Sequence, residues 1–130
     1  KIARASAWLA DAENRLCVER SEFLSNADGR DLAVFHLFLA IQECIDLALH
    51  WISDDGLASA DDYGSAFDVL RDHSRISTET ALAMRNAVGL RNLIAHGYAL
   101  LDSERIYNEA SAGIPPIRRF LDEVAKAAGL

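Results

Sequence analysis

Apolar residues recur along this chain at steps of three and four, and the pattern is helical almost from end to end. Ile2, Ala5, Leu9, Ala12, Leu16 and Phe23 fall on one face. Asp11, Glu13, Arg15, Glu19, Arg20 and Glu22 lie largely off it, so the spacing predicts an amphipathic first helix over about residues 2–26. Asn26-Ala27-Asp28-Gly29 reads as a stop and turn. The second helix, about 30–53, is apolar nearly all round, with Leu32, Val34, Phe35, Leu37, Phe38, Leu39, Ile41, Ile45, Leu47, Leu49, Trp51 and Ile52. Such a helix is buried against several neighbours, and in so small a domain that points to a second subunit as well. A polar loop follows Asp54-Asp55-Gly56, and a short third helix is predicted over about 65–73, with His73 as a capping or surface residue. The fourth helix starts with Ser77 or Thr78 as cap and ends near His96, Gly97 being a left-handed C-terminal residue. Gly89 inside it is read as permitting close helix approach. Asp102 caps a fifth helix, which Gly113-Ile114-Pro115-Pro116 kinks or divides, and Ile117, Phe120, Leu121 and Val124 form its final apolar stripe. The expected fold is all-α, an antiparallel bundle of four to five helices, homodimeric.

The chain has 130 residues, room for one domain with one core, and half of it is hydrophobic. A single domain over 1–130 is therefore expected, with neither disorder nor a membrane class, since charged or polar residues interrupt every apolar run. Cys17 and Cys44 are read as small buried hydrophobes in a reducing cytosol, not as a metal pair. The net charge of −7 argues against broad, sequence-independent coating of nucleic acid, while leaving room for a local basic site.

Chemistry concentrates in Arg91-Asn92-Leu93-Ile94-Ala95-His96-Gly97-Tyr98. Arginine grips phosphate through a planar fork of donors, histidine moves protons near neutral pH, and tyrosine carries a hydroxyl open to modification. On a regular helix, residues four apart nearly overlap and residues five apart point about 140° from each other. Asn92 and His96 share a face; Arg91 does not share it squarely. A flexible arginine, a helix end at Gly97 and a nearby two-fold axis would each help to gather the set around one cleft. Such a cleft suits RNA cleavage without a metal, with His96 as base or acid and Arg91 stabilising charge on the phosphoryl oxygens. A second set of polar residues, His36, Glu43, Asp46 and His50, makes one stripe on the second helix. It is read as solvent-exposed, as lining a polar cleft beside Arg91 and His96, or as a metal site, in that order.

The string R-x-x-x-x-H-x-Y, here Arg91, His96 and Tyr98 with Asn92 after the arginine, resembles the motif of the HEPN superfamily. The order of segments, with Ala40-Ile41-Gln42 and a following acid on the second helix, is similar to its HepT branch. The resemblance implies a small cytoplasmic all-α homodimer, the toxin of a type VII-like toxin–antitoxin system, and an endoribonuclease needing no metal and no cofactor. It implies Arg91 and His96 as catalytic residues, with Asn92 in support. It implies that Tyr98 is AMP-modified by a cognate nucleotidyltransferase antitoxin, MNT or MntA, using ATP and Mg²⁺. Asp46 is chosen over Glu43 as the acid that orients Arg91 or His96. The alternatives are a non-catalytic helical module that holds a nucleotide or a nucleotidyltransferase, and a purely structural bundle.

Overall fold

The structure is a computed structural model that describes residues 2–16, 20–97 and 102–129. The fold is all-α, with six helical segments among the described residues: α1 (Ile2–Leu16), α2 (Arg20–Ser25), α3 (Ala27–Asp54), α4 (Tyr63–Asp72), α5 (Thr78–Gly97) and α6 (Ser103–Ala127). The sixth segment arises because the run expected as one helix over 2–26 comprises α1 and the short α2. Cys17 and the surroundings of Phe23 lie outside the described residues.

The long α3 is the centre. It packs most heavily on α1 and also meets α2, α4, α5 and α6. By length and composition it is apolar enough to cross a membrane, against the sequence expectation. In the fold it is the core helix, with Leu37, Ala40, Ile41, Cys44, Ile45 and Ala48 fully buried. Leu9 from α1, Phe67 and Leu70 from α4, Met84 from α5 and Ile117 and Phe120 from α6 close around it. The rings of Phe67 and Phe120 meet edge to face at 5.2 Å, a favoured aromatic geometry.

Helix starts follow their caps. Asn26 both ends α2, its amide donating to the Glu22 carbonyl at 3.1 Å, and opens α3, its side chain accepting from the Gly29 amide at 3.0 Å. Asp62 accepts from the Ser65 amide at 2.7 Å, and the Ser65 hydroxyl accepts from the Asp62 amide at 3.0 Å, a reciprocal cap that begins α4 at Tyr63. These bonds hold the Asp62 carboxyl below its ordinary value. Ser77, not Thr78, caps α5, accepting from the Thr80 amide at 3.1 Å. His73 is the C-cap of α4, as expected.

Two punctuation marks read differently in three dimensions. Pro115 and Pro116 lie inside the unbroken α6. They remove donors to the carbonyls of Ser111 and Ala112, but both residues are exposed, so water can satisfy those groups. Gly97 belongs to α5 and lacks a left-handed backbone, which among the described glycines only Gly56 and Gly129 show.

Candidate functional site

Arg91 leaves α5 toward α3 and is held on four sides. Its Nε donates to the Gln42 Oε1 at 3.1 Å, and its Nη1 donates to the Asn92 Oδ1 at 3.0 Å. Its guanidinium carbon lies 5.2 Å from the Phe38 ring centre and 5.5 Å from that of Tyr63. Both distances fall within the range of cation–π attraction, about 0.5–2 kcal/mol per contact. Gln42 is fixed in turn by Asp46, whose Oδ1 accepts from the Gln42 Nε2 at 3.4 Å, one helical turn along α3. Asp46 thus reaches Arg91 through an amide, not directly.

No carboxylate pairs with Arg91 among the described residues, although Arg4, Arg71, Arg75, Arg85, Arg105, Arg118 and Arg119 all have acidic partners. Its neighbours are amides and ring faces. They fix its position without cancelling its charge. Nη2 and the second Nη1 hydrogen remain for an anion.

The anion would arrive through an open cleft of about 360 Å³, lined by Asp62, Tyr63, Gly64, Arg85, Arg91 and Asn92. A larger groove of about 520 Å³ runs between α5 and α6 and adjoins the first at Gly89 and Arg85. A side chain at Gly89 would meet nothing within 4 Å. This glycine therefore opens the surface between two grooves; it does not permit a close helix approach.

His96 is exposed in the last turn of α5 and takes no part in the hydrogen bonds of the described residues. Because α5 stays helical through Gly97, His96 does not turn back toward Arg91. Asn92, one turn before His96, is exposed and bonded to Arg91. Tyr98 lies outside the described residues.

The polar stripe of α3 divides. His36 stacks on Trp8 of α1 at 5.4 Å, and Glu43 pairs with Arg4 at 3.1 Å, so both serve the α1–α3 seam. His50 is exposed, and Asp46 alone turns toward the Arg91 cluster. The four do not converge as metal ligands, and no group of three such residues does so among those described. Gln42, Phe38 and Tyr63 were not singled out for the site in the sequence. The available signal was Gln42, an amide within the Ala40-Ile41-Gln42 string and one turn before the chosen acid.

The sequence model of one family, Ribonuclease HepT-like, matches residues 7–124. No curated protein matches the chain. Several solved structures share the fold. A chain of a toxin–antitoxin complex with AMP-PNP is 23% identical, with a TM-score of 0.83 over 97% of this chain and 94% of that one. The tri-AMPylated Shewanella oneidensis HEPN toxin in complex with MNT antitoxin is 22% identical, with a TM-score of 0.85 over 97% and 93%. YutE of Bacillus subtilis, a cytosolic protein of unknown function, is 17% identical, with a TM-score of 0.74 over 96% and 88%. The family match spans nearly the whole helical frame that carries Arg91 and its supports, and on that ground this chain belongs to the HepT-like ribonuclease family.

Proposed function

We propose that this chain is the ribonuclease toxin of a type VII-like toxin–antitoxin pair, a cytoplasmic homodimer whose single HEPN domain cleaves RNA at a cleft between protomers. The observation that carries the reading is Arg91, a fixed guanidinium at a cleft wall, held only by neutral groups. In the proposed step a base takes the proton of a ribose 2′-hydroxyl and O2′ attacks the adjacent phosphorus. The bond to O5′ breaks as an acid protonates it, leaving a 2′,3′-cyclic phosphate. Arg91 stabilises the charge on the phosphoryl oxygens. His96 acts as base or acid. Asn92 and, through Gln42, Asp46 hold Arg91 in place. Written this way, the step calls on no metal or other cofactor.

The dimer is supported by α3. Phe35, Gln42 and Leu49 are spaced by seven, hence on one face, and Phe35 and Leu49 are 53% and 36% exposed. A second copy lying along that face would run past the Gln42–Arg91 bond and could bring its own His96 to this Arg91.

For control, the antitoxin is a nucleotidyltransferase of the MNT kind. The Tyr98 oxygen attacks the α-phosphorus of ATP, with Mg²⁺ on the antitoxin, and pyrophosphate leaves. Each AMP adds negative charge and bulk beside a cation meant for RNA, and so excludes it. The likeness of fold to an AMPylated HEPN toxin bound to an MNT antitoxin supports this regulation.

A non-catalytic binding module is the second reading, favoured by the separate directions of His96 and Arg91 within one chain. Toxicity decides between them. Arg91→Ala and His96→Ala should each abolish growth arrest while leaving a folded dimer, and full toxicity in either variant sinks the nuclease. Co-expression with the adjacent nucleotidyltransferase should shift the mass of the Tyr98 peptide by whole AMP units, and an unshifted peptide removes the proposed regulation.

A further inference from the structure

We infer that the cleft beside Arg91 is a nucleobase subsite, in which an unpaired base of the RNA lies against the Tyr63 ring while a flanking phosphate meets Arg91. The inference rests on the ribonuclease reading above and names the kind of RNA that the site takes.

Tyr63 is 39% exposed, one of few large rings left open to solvent among the described residues, and it lines the cleft. It is also held still. The reciprocal cap of Asp62 and Ser65 fixes the first turn of α4, which Tyr63 begins, and the Arg91 guanidinium packs against part of the ring. An aromatic surface that is both exposed and rigid is what a base needs to stack on. The space beside it is open. Gly64 and Gly89 contribute no side chains to the cleft, and a Cβ at Gly89 would touch nothing. A cavity of about 360 Å³ is of the size that holds a small organic ligand.

Charge orders the cleft. Arg85 is paired with Asp68, and the Asp62 carboxylate is engaged in the helix cap. Arg91 is the cation left for a phosphate, and it stands directly beside the ring. Asn92 accepts the Arg91 Nη1–H through Oδ1, so its amide N–H groups are turned away from Arg91 and can donate to a base carbonyl or a phosphate oxygen. A ring, a cation and an amide donor in one cleft match a base and its flanking phosphate.

A base within an A-form duplex is stacked on both faces and cannot reach the ring. The site therefore selects loops, bulges and single strands.

The test uses full-length His96→Ala protein, which binds without cutting, and labelled single-stranded oligo(A) of about eight nucleotides, within the usual span of a single-strand site. A set of these probes carries one abasic nucleotide at successive positions. At one position the missing base should weaken binding by about tenfold, the usual worth of one stacked base. The same penalty should persist with Tyr63→Phe added and vanish with Tyr63→Ala added. Displacement of Arg91 by the smaller residue would weaken all probes alike and leave the penalty standing. An undiminished penalty in the Tyr63→Ala protein, no penalty at any position, or equal affinity for the matching duplex overturns the inference and leaves the nuclease intact. Failure of both single-stranded and duplex RNA to bind overturns the ribonuclease reading itself.

Discussion

His96 stands five residues beyond Arg91 on the same unbroken helix, so the two side chains leave α5 about 140° apart. Within one protomer they address different surfaces. A two-fold assembly resolves this if one chain supplies the guanidinium and its partner the imidazole. Mixed dimers test that arrangement. Arg91→Ala and His96→Ala proteins, each inactive alone, should regain up to about half the wild-type RNA cleavage per mixed dimer, because one composite site is then whole. No recovery in verified mixed dimers places both groups in one protomer and sinks the composite site.

Arg91 is anchored through Nε and Nη1, and lysine has neither atom in a planar fork. Arg91→Lys should therefore lower kcat by about a hundredfold, close to full loss of a charge-stabilising donor. Gln42→Glu separates position from charge. It keeps an acceptor in place but sets an anion against the guanidinium, and it should reduce cleavage by about tenfold or more even though Arg91 stays put. Unchanged kcat in the Gln42→Glu protein would show that the neutrality of that partner does not matter.

The Asp62 cap carries a pH signature. Its carboxyl is held below the ordinary 3.8, first by the Ser65 amide, then by the Ser65 side chain. A lowered folded-state value means that the stabilisation is present above 3.8 and is lost as pH falls through the lower, folded value. Asp62→Ala should melt earlier than wild type at neutral pH, and the gap in Tm should close in acid below that range. A gap that stays constant down to the acid limit would show that the cap does not depend on ionisation.

Burial pushes the Cys44 thiol far up from its usual range, with Glu43 adding to the effect. A buried neutral thiol is a poor nucleophile. Iodoacetamide should leave the Cys44 peptide unmodified in native protein and label it fully in denaturant, as read by peptide mass. Rapid native labelling would mean that α3 opens.

Much of the fold could be read from periodicity because helix-forming information is local. Ala5, Leu9, Ala12 and Leu16 of α1 and the stripe of the second half of α6 are buried where the spacing put them, and Asp102 caps α6. Errors fell on residues with two uses. Asn26 serves helix ends and helix starts alike: it closes α2 as expected, and its Gly29 hydrogen bond opens α3 at once, which leaves no turn between them. The prolines of α6 looked like a break because sequence does not show that the carbonyls behind them face solvent. At the site, the motif named Arg91 and His96, Asp46 was chosen as the acid on the second helix, and the structure links Asp46 to Arg91 through Gln42. Gln42 and Tyr63 stayed hidden because their meaning is long-range: Gln42 meets Arg91 across 49 positions of chain. The polar stripe of α3 misled for the opposite reason. Neighbours on one helix face were sorted to different jobs by the helices packed on either side.

Gln42 rides on the same helix whose other faces make up the middle of the core. The aim of Arg91 is thus tied to the most firmly packed part of the molecule, and softening that helix enough to misdirect the guanidinium would threaten the domain itself. On the proposed ribonuclease reading, an agent that covers or modifies the cleft would silence the site while leaving that helix and the core around it undisturbed.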